Sequence, residues 1–109
     1  MKTKLIIDTS KIKEISVALE YAGKRFERKL PSRVAKAQTV LPLTEELLKE
    51  AHLSVRDIEE ITVAEGEESF TGIRVGFAIA NALGKLLGVP VNGKRGIAIP
   101  KYSRLQWSK

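Results

Sequence analysis

The sequence predicts an α/β fold in which two helices pack on a mixed five-stranded sheet, followed by an irregular C-terminal arm. The length of 109 residues suits one domain. Hydrophobic residues make up 43% of the chain and charged residues 29%, as in an ordinary globular domain. Residues 4–30 are patterned as strands, whereas residues 35–51 and 72–87 carry apolar side chains at helical spacing. The predicted order of elements is βββαβα, with a short strand after it.

Three antiparallel strands open the chain. Residues 4–8 include an apolar run that does not alternate, which predicts a central strand covered on both faces. Residues 14–21 alternate, and Ala22-Gly23 makes a hairpin turn into the polar strand 24–30. Lysines in this third strand are typical of a sheet edge, where they discourage further pairing.

The next elements alternate between helix and strand. The first helix is predicted within residues 35–51, and Pro42 lies either in its first turn or at a kink. The strand at 58–64 should pair in parallel with the first strand through this helical crossover. The second helix, 72–87, should end at Gly88.

The second helix is apolar around most of its circumference. One stripe consists of Ile73, Gly76, Phe77, Ala80, Leu83, Gly84 and Leu87, and a second stripe beside it consists of Val75, Ile79, Ala82 and Leu86. The two stripes span roughly 220°, against the ~100° that a helix facing one core needs. We therefore expect one side to meet the sheet and the other a helix, which a second chain can supply. Small residues at every fourth position (Gly76, Ala80 and Gly84) allow a backbone to approach closely.

The end of the chain is predicted to be a short fifth strand at 89–91 and then a basic arm. This divides the chain into a lobe, 1–91, and an arm, 92–109. Net charge is +6, from 19 Lys and Arg against 13 Asp and Glu. The basic residues suited to following an RNA backbone are Lys94, Arg95, Lys101 and Arg104. The alternative is solubilising surface charge, since few aromatic side chains are interleaved with the basic ones, as single-strand binding would require.

Composition excludes several kinds of site. The chain has no cysteine and one histidine, His52, which leaves no disulfide, thiolate zinc site or cysteine nucleophile, and little for a multi-histidine metal site. Asp8 alone is a poor magnesium site, so no metal or cofactor is predicted. No apolar run approaches the roughly 20 residues that span a membrane, and the N-terminal run is too short for a signal peptide. We expect a cytoplasmic protein.

The stretch that leads from the fourth strand into the second helix, 65–77, has two interpretations. Its helix-start motif consists of Ser69, Phe70, Thr71, Gly72, Arg74 and Gly76. The free N–H groups at such a helix start suit an anion, but a hydroxyl there also caps the helix. Glu67 and Glu68 repel an anion, which favours capping.

Four segments of the chain together resemble the TsaB family, also called YeaZ. They are Leu5–Ser10, Ile15–Leu19, Val40–Leu48 and Ser69–Gly76. The resemblance extends through about Val91, and the run Ser-Phe-Thr-Gly-Ile-Arg-Val-Gly is its most specific part. It implies a ribonuclease H-like lobe, the half-unit of actin-like ATPases, and the βββαβα order indicates the same lobe.

The resemblance implies a non-catalytic scaffold subunit. TsaB pairs with TsaD, and with the ATPase TsaE, to place threonylcarbamoyl on the adenosine next to the anticodon of tRNA, and it also self-associates. Partner contacts, with TsaD or with a second copy, are expected from the two helices, at Val75, Ile79, Ala82, Leu86, Leu43 and Leu47. Contact with tRNA is expected to be indirect or weak.

Two departures from the family bear on nucleotide binding. Residues 66–68, Gly-Glu-Glu, stand where the family usually has Gly-Pro-Gly. The chain also stops after one of two lobes, so it is either a single-lobe member or a fragment, and the tail 92–109 favours the first. One lobe cannot enclose ATP, so Asp8, Thr9 and Ser10 are expected to be at most a vestigial nucleotide site. A stand-alone homodimeric RNA-binding module is the alternative hypothesis. A phosphotransferase or peptidase is less favoured, because one histidine and no cysteine leave it few catalytic groups.

Overall fold

The computed structural model describes residues 3–11, 13–31, 39–64 and 70–94. The elements are β1 (Lys4–Asp8), β2 (Glu14–Tyr21), β3 (Lys24–Pro31), α1 (Val40–Glu50), a one-turn 3-10 helix (Val55–Asp57), β4 (Glu60–Val63) and α2 (Phe70–Leu87). The strands form one sheet in the order β3-β2-β1-β4. The antiparallel pairing of β1, β2 and β3 and the parallel pairing of β1 with β4 are confirmed.

The sheet has four strands within the described ranges, and the prediction of a fifth is wrong. Val91 makes only isolated bridges, one of them to β4. Pro90 has no N–H for a ladder, and the chain reverses at Asn92 and Gly93, where φ is 51° and 79°. Reciprocal hydrogen bonds between Val91 and Lys94 close this turn, so the strand cannot continue. Between α1 and β4 the chain makes the one-turn 3-10 helix, where the Ser54 N–H donates to Oδ2 of Asp57 at 2.8 Å.

Helix α1 begins at Val40, which places Pro42 in its first turn and not at a kink. Proline is tolerated there because the first N–H groups of a helix have no intrahelical partner. The predicted residues 35–38 lie outside the described ranges. The buried face of α1 consists of Val40, Leu43, Thr44, Leu47 and Leu48. It packs over β2 and β3.

The core lies on one face of the sheet. In β1, Leu5 and Ile7 are fully buried, and Ile6 between them is half-buried. Leu5 stands beside Leu19 of β2 and Ile61 of β4, and all three belong to the same core as the helix residues. The central position of β1 is confirmed, but the core of the described residues covers one of its faces and not both.

Both helices end in a residue with left-handed backbone. After α2 this residue is Gly88, at φ 72°, as predicted. After α1 it is His52, at φ 59°. There the Leu53 N–H donates to the Leu48 carbonyl and the His52 N–H donates to the Lys49 carbonyl. This is the Schellman pattern, in which glycine is the usual residue.

Exchanging the residue type at these two positions should shift stability in opposite directions. His52→Gly should raise the free energy of unfolding by a few tenths to about 1 kcal/mol, because relief of left-handed strain exceeds the added freedom of the unfolded chain. Gly88→Ala should lower it by about 1–2 kcal/mol. A Cβ at Gly88 meets no atom within 4 Å, so the cost there is backbone strain alone. Urea unfolding measures the change in the free energy of unfolding for both variants. A loss of stability in His52→Gly would contradict the proposed backbone strain at His52.

Candidate partner-binding site

The inner side of α2 is shaped by small residues. A Cβ at Gly76 would clash with Oγ1 of Thr9, and a Cβ at Gly84 would stand 2.6 Å from Cγ2 of Val91. Between these two positions, Ala80 is fully buried. The predicted close approach of a backbone is seen at Gly84, where the Val89 carbonyl oxygen lies 3.1 Å from the Cβ position, whereas Gly76 meets the side chains of Thr9 and Val63.

The outer side of α2 carries the second stripe, here called the outer stripe: Val75, Ile79, Ala82 and Leu86. The four positions lie within roughly 60° of one another around the helix axis. Val75 and Ile79 are half-buried, whereas Ala82 and Leu86 are exposed. Leu86, at 79%, is the most exposed large apolar side chain in the described ranges. One exposed leucine is common, but four apolar side chains in line form a surface that suits a protein partner.

The α1 part of the predicted partner surface is wrong. Leu43 is 6% exposed and Leu47 is 0% exposed, and both belong to the core beneath the helix. The exposed side of α1 consists instead of Leu41, Pro42, Glu45, Glu46, Lys49 and Glu50. Since both helices pack on the same face of the sheet, a partner would meet an apolar line on α2 beside an acidic side of α1.

Arg28 of β3 holds part of that acidic side in place. Its Nη2 donates to Oε1 of Glu50 at 2.8 Å, and its Nε lies 3.5 Å from Oε1 of Glu46. The hydrogen bond to Glu50, followed by the charge of that carboxylate, raises the pKa of Arg28. Exposed pairs of this kind contribute little to stability. Their effect here is to fix two carboxylates of α1 beside the edge strand.

The predicted vestigial nucleotide site forms a turn that satisfies itself. Oδ1 of Asp8 accepts hydrogen bonds from the Ser10 N–H at 3.0 Å and from Ser10 Oγ at 2.7 Å. Thr9 and Ser10 are buried, and Thr9 lies against Gly76. The turn places Thr9 against α2, and nucleotide contact by these residues stays a prediction. Within the described ranges, no group of three or more His, Cys, Asp or Glu is placed to hold a metal ion.

The helix-start motif lies only partly within the described ranges. Helix α2 begins at Phe70, two residues before the predicted start. Thr71–Gly72 belong to its first turn, Arg74 is exposed and Gly76 is buried. Ser69 and the acidic residues before it lie outside the described ranges. The choice between capping and anion binding at this helix start therefore stays a prediction.

The basic arm is described only at its beginning. Lys94 is exposed, while Arg95, Lys101 and Arg104 lie outside the described ranges. RNA contact by these four residues stays a prediction. Among the helices of the described part of the chain, none is long and apolar enough to cross a membrane.

Asn92 has a role that the sequence interpretation missed. Its Oδ1 accepts a hydrogen bond from the Val63 N–H at 2.8 Å, and its Nδ2 donates to the Val63 carbonyl at 3.2 Å. The carboxamide thus closes the outer edge of β4. The sequence signals the turn at this position, because Asn-Gly after a short apolar run is the strongest short-range indication of a tight hairpin turn, but it does not signal the contact with Val63.

Comparison with known proteins finds relatives whose names refer to threonylcarbamoyladenosine in tRNA. Residues 25–94 match the family model described as TsaD: tRNA N6-adenosine threonylcarbamoyltransferase. The chain is 30% identical over 90 residues to the tRNA threonylcarbamoyladenosine biosynthesis protein TsaB of Buchnera aphidicola subsp. Baizongia pistaciae, covering 83% of this chain and 40% of that protein. It is 33% identical over 89 residues to the Haemophilus influenzae protein of the same name, covering 82% of this chain and 37% of that one.

A solved structure agrees with this relationship. YeaZ from Pseudomonas aeruginosa matches with a TM-score of 0.77 and 32% sequence identity, over 84% of this chain and 42% of that one. The match is consistent with a ribonuclease H-like fold for the four-stranded lobe. The chain spans between 37% and 42% of the length of these three relatives. From its sequence matches and its fold, the chain belongs to the TsaB (YeaZ) family.

Proposed function

We propose that this chain is a non-catalytic subunit of the machinery that makes threonylcarbamoyladenosine in tRNA, and that it binds a TsaD-like enzyme through the outer stripe. The family supports the pathway, because the relatives are named as tRNA threonylcarbamoyladenosine biosynthesis proteins. The outer stripe is the observation that supports the contact. It leaves Leu86 exposed on a helix that is otherwise anchored to its own sheet.

The outer stripe has the properties of a preformed docking surface. The opposite side of α2 is held in the core by Ile73, Phe77, Ala80 and Leu83, so a partner meets an ordered helix and little entropy is lost on binding. Arg74 and Lys85 are exposed on the same helix and give the apolar line a charged rim. The matching partner surface is an apolar helix face that carries acidic groups toward α2 and basic groups toward α1.

A second copy of the chain also carries an apolar helix face with basic and acidic groups beside it. In a two-fold pair, the outer stripes pack against each other, and the basic residues of α2 can meet the acidic side of α1 from the other copy. A homodimer and a complex with the TsaD-like enzyme then use one surface and exclude each other. A TsaE-like ATPase and tRNA join only the assembled complex in this scheme.

A binding role rather than a catalytic one fits the chemistry of the proposed surface. The four side chains of the outer stripe carry no nucleophile and no titratable group. His52 is placed at the end of α1 by its Schellman hydrogen bonds, and Asp8 accepts bonds within its own turn. These two residues are the sequence's most obvious candidates for acid–base or metal chemistry, and each has a structural role.

Leu86→Glu tests the proposal most directly. The side chain is 79% exposed, so the variant should fold and unfold like the wild type. Placing a carboxylate within an apolar contact should weaken association with the TsaD-like protein of the same organism by at least about tenfold. Co-expression followed by size measurement detects the complex, and titration of the purified proteins gives the dissociation constant.

Val55→Glu is the matched control for that experiment. Val55 is also an exposed apolar residue, at 41%, but it lies on the 3-10 helix and is not part of the outer stripe. It should bind the TsaD-like protein as the wild type does. Equal binding by both variants would overturn the proposed surface, whereas absence of any complex with the wild type would overturn the proposed function. Loss of self-association alone in Leu86→Glu would favour the homodimer.

A further inference from the structure

The outer edge of β4 is closed by the segment that follows α2. The Ile61 N–H donates to the Pro90 carbonyl at 3.0 Å, and the Ile61 carbonyl accepts from the Asn92 N–H at 2.8 Å. Two residues along β4, the side chain of Asn92 continues the pattern, because its carboxamide binds both the N–H and the carbonyl of Val63. These four hydrogen bonds, here called the edge cap, replace the bonds that a neighbouring strand would make.

We propose that Asn92 is a site of spontaneous deamidation and that its conversion to aspartate or isoaspartate opens the β4 edge. Asn92 is followed by Gly93, which has no side chain to shield its backbone nitrogen. That nitrogen attacks Cγ of Asn92 and forms a five-membered succinimide, while the Cγ–Nδ2 bond breaks. Ammonia leaves with the proton lost by the attacking nitrogen. Water then opens the ring at either carbonyl, so that the net change is one water gained and one ammonia lost.

The edge cap controls when this reaction can occur. Cγ of Asn92 must turn toward the Gly93 nitrogen, but both polar atoms of the carboxamide are bound to Val63 at 2.8 and 3.2 Å. Cyclisation therefore requires both hydrogen bonds to break first. In the folded protein, the reaction rate follows the local opening of the edge cap. The unfolded chain has no such restraint.

Neither product can restore the edge cap. Aspartate has no N–H to donate, so a carboxylate oxygen would face the Val63 carbonyl oxygen where Nδ2 now donates. Isoaspartate lengthens the main chain by one carbon and shortens the side chain, which moves the carboxylate away from Val63. In both cases a backbone group of Val63 is left unpaired at a sheet edge, where another strand can bind it. Deamidation thus converts a closed edge into an open one, in one direction only.

The rate of deamidation tests the protective role of the edge cap. Folded and urea-unfolded protein are incubated in the same warm, neutral buffer, and peptide mapping quantifies aspartate and isoaspartate. The only other asparagine, Asn81, precedes Ala82 and serves as an internal control. In urea, Asn92 should convert well before Asn81. Folding should slow conversion of Asn92 by at least about tenfold. Equal rates in the folded and unfolded chain, or equal rates at the two asparagines in urea, would overturn the proposal.

Asn92→Asp tests the consequence for the sheet. Hydrogen exchange should become at least about tenfold faster at the Val63 and Asn92 backbone amides, with the centre of β1 unchanged. Asn92→Ala should do the same, because it removes both the oxygen that accepts from the Val63 N–H and the nitrogen that donates to the Val63 carbonyl, without adding a charge. Asn81→Asp adds the same charge on α2 and should leave exchange at Val63 unchanged. Wild-type exchange at Val63 in both position-92 variants would show that the carboxamide does not hold this edge.

Discussion

Leu47→Ala should lower the free energy of unfolding by about 2–5 kcal/mol. Leu47 is 0% exposed and lies in the core between α1 and the sheet. Truncation removes its apolar contacts and leaves a cavity that the closely packed strands beneath cannot fill. Urea unfolding followed by circular dichroism measures the change. The midpoint should fall while the dependence of the free energy on urea stays the same.

Leu41→Ala is the control on the same helix. Leu41 is 49% exposed, so its truncation should cost less than about 1 kcal/mol. The comparison separates a core role for α1 leucines from the interface role that their spacing suggested. A Leu47→Ala variant as stable as Leu41→Ala, with weakened binding to a TsaD-like protein, would return Leu47 to the partner surface.

Gly76→Ala should be destabilising by about 1–3 kcal/mol, although it places a better helix former inside a helix. Helix propensity alone predicts the opposite sign, since alanine is favoured over glycine by roughly 1 kcal/mol. The added Cβ clashes with Oγ1 of Thr9 and stands 3.2 Å from Cγ2 of Val63. Both neighbours are buried, so α2 must move away from β1 or the loop must shift. The sign of the change in urea unfolding decides between the two effects.

Thr9→Ala provides the second half of a double-mutant cycle. Removing Oγ1 of Thr9 should relieve the clash in Gly76→Ala, so the two changes together should cost less than their sum by about 0.5–3 kcal/mol. Gly84 offers a second cycle with Val91, whose Cγ2 would stand 2.6 Å from the new Cβ. Strictly additive effects in both cycles would show that α2 does not depend on these two close approaches.

The sequence predicted the elements well where one pattern decides the structure. Alternation in residues 14–21 located β2, and the helical crossover implied the parallel pairing of β1 with β4. The two apolar stripes of α2 also correspond to two environments, because Gly76 faces the sheet and Leu86 faces outward. Periodicity was sufficient to separate the two stripes, and the small residues at every fourth position marked the inner one.

The sequence was less informative where the structure depends on the direction in which a helix face points or on contacts between distant residues. The spacing of Leu43 and Leu47 identifies a shared face of α1, but it does not say whether that face meets the sheet or a partner. Their burial follows from where α1 crosses β2 and β3. The prediction of a fifth strand was wrong for a related reason. The apolar run 89–91 resembles a strand, but a proline and the following Asn-Gly turn end its pairing after one bridge.

The position of Asn92 opposite Val63 could not be predicted from local sequence. The two residues are 29 positions apart, and their contact depends on how α2 returns the chain to the edge of β4. The turn itself was predictable from Asn-Gly, whereas its hydrogen-bonding partner was not. The same limit applies to Arg28 and Glu50, which meet only because α1 lies over β3.

The parallel pairing of β1 with β4 also affects the order in which the elements form during folding. The Thr3 N–H at the start of β1 donates to Glu59, which lies 56 residues further along the chain, whereas β1, β2 and β3 meet through short connections. Closing the longer loop costs more entropy before its contacts form, so the three-stranded meander should assemble first and β4 should join late. Helix α2 packs on β4 and β1 and reaches its final position only after that step. A partner that binds the outer stripe therefore selects chains that have finished folding.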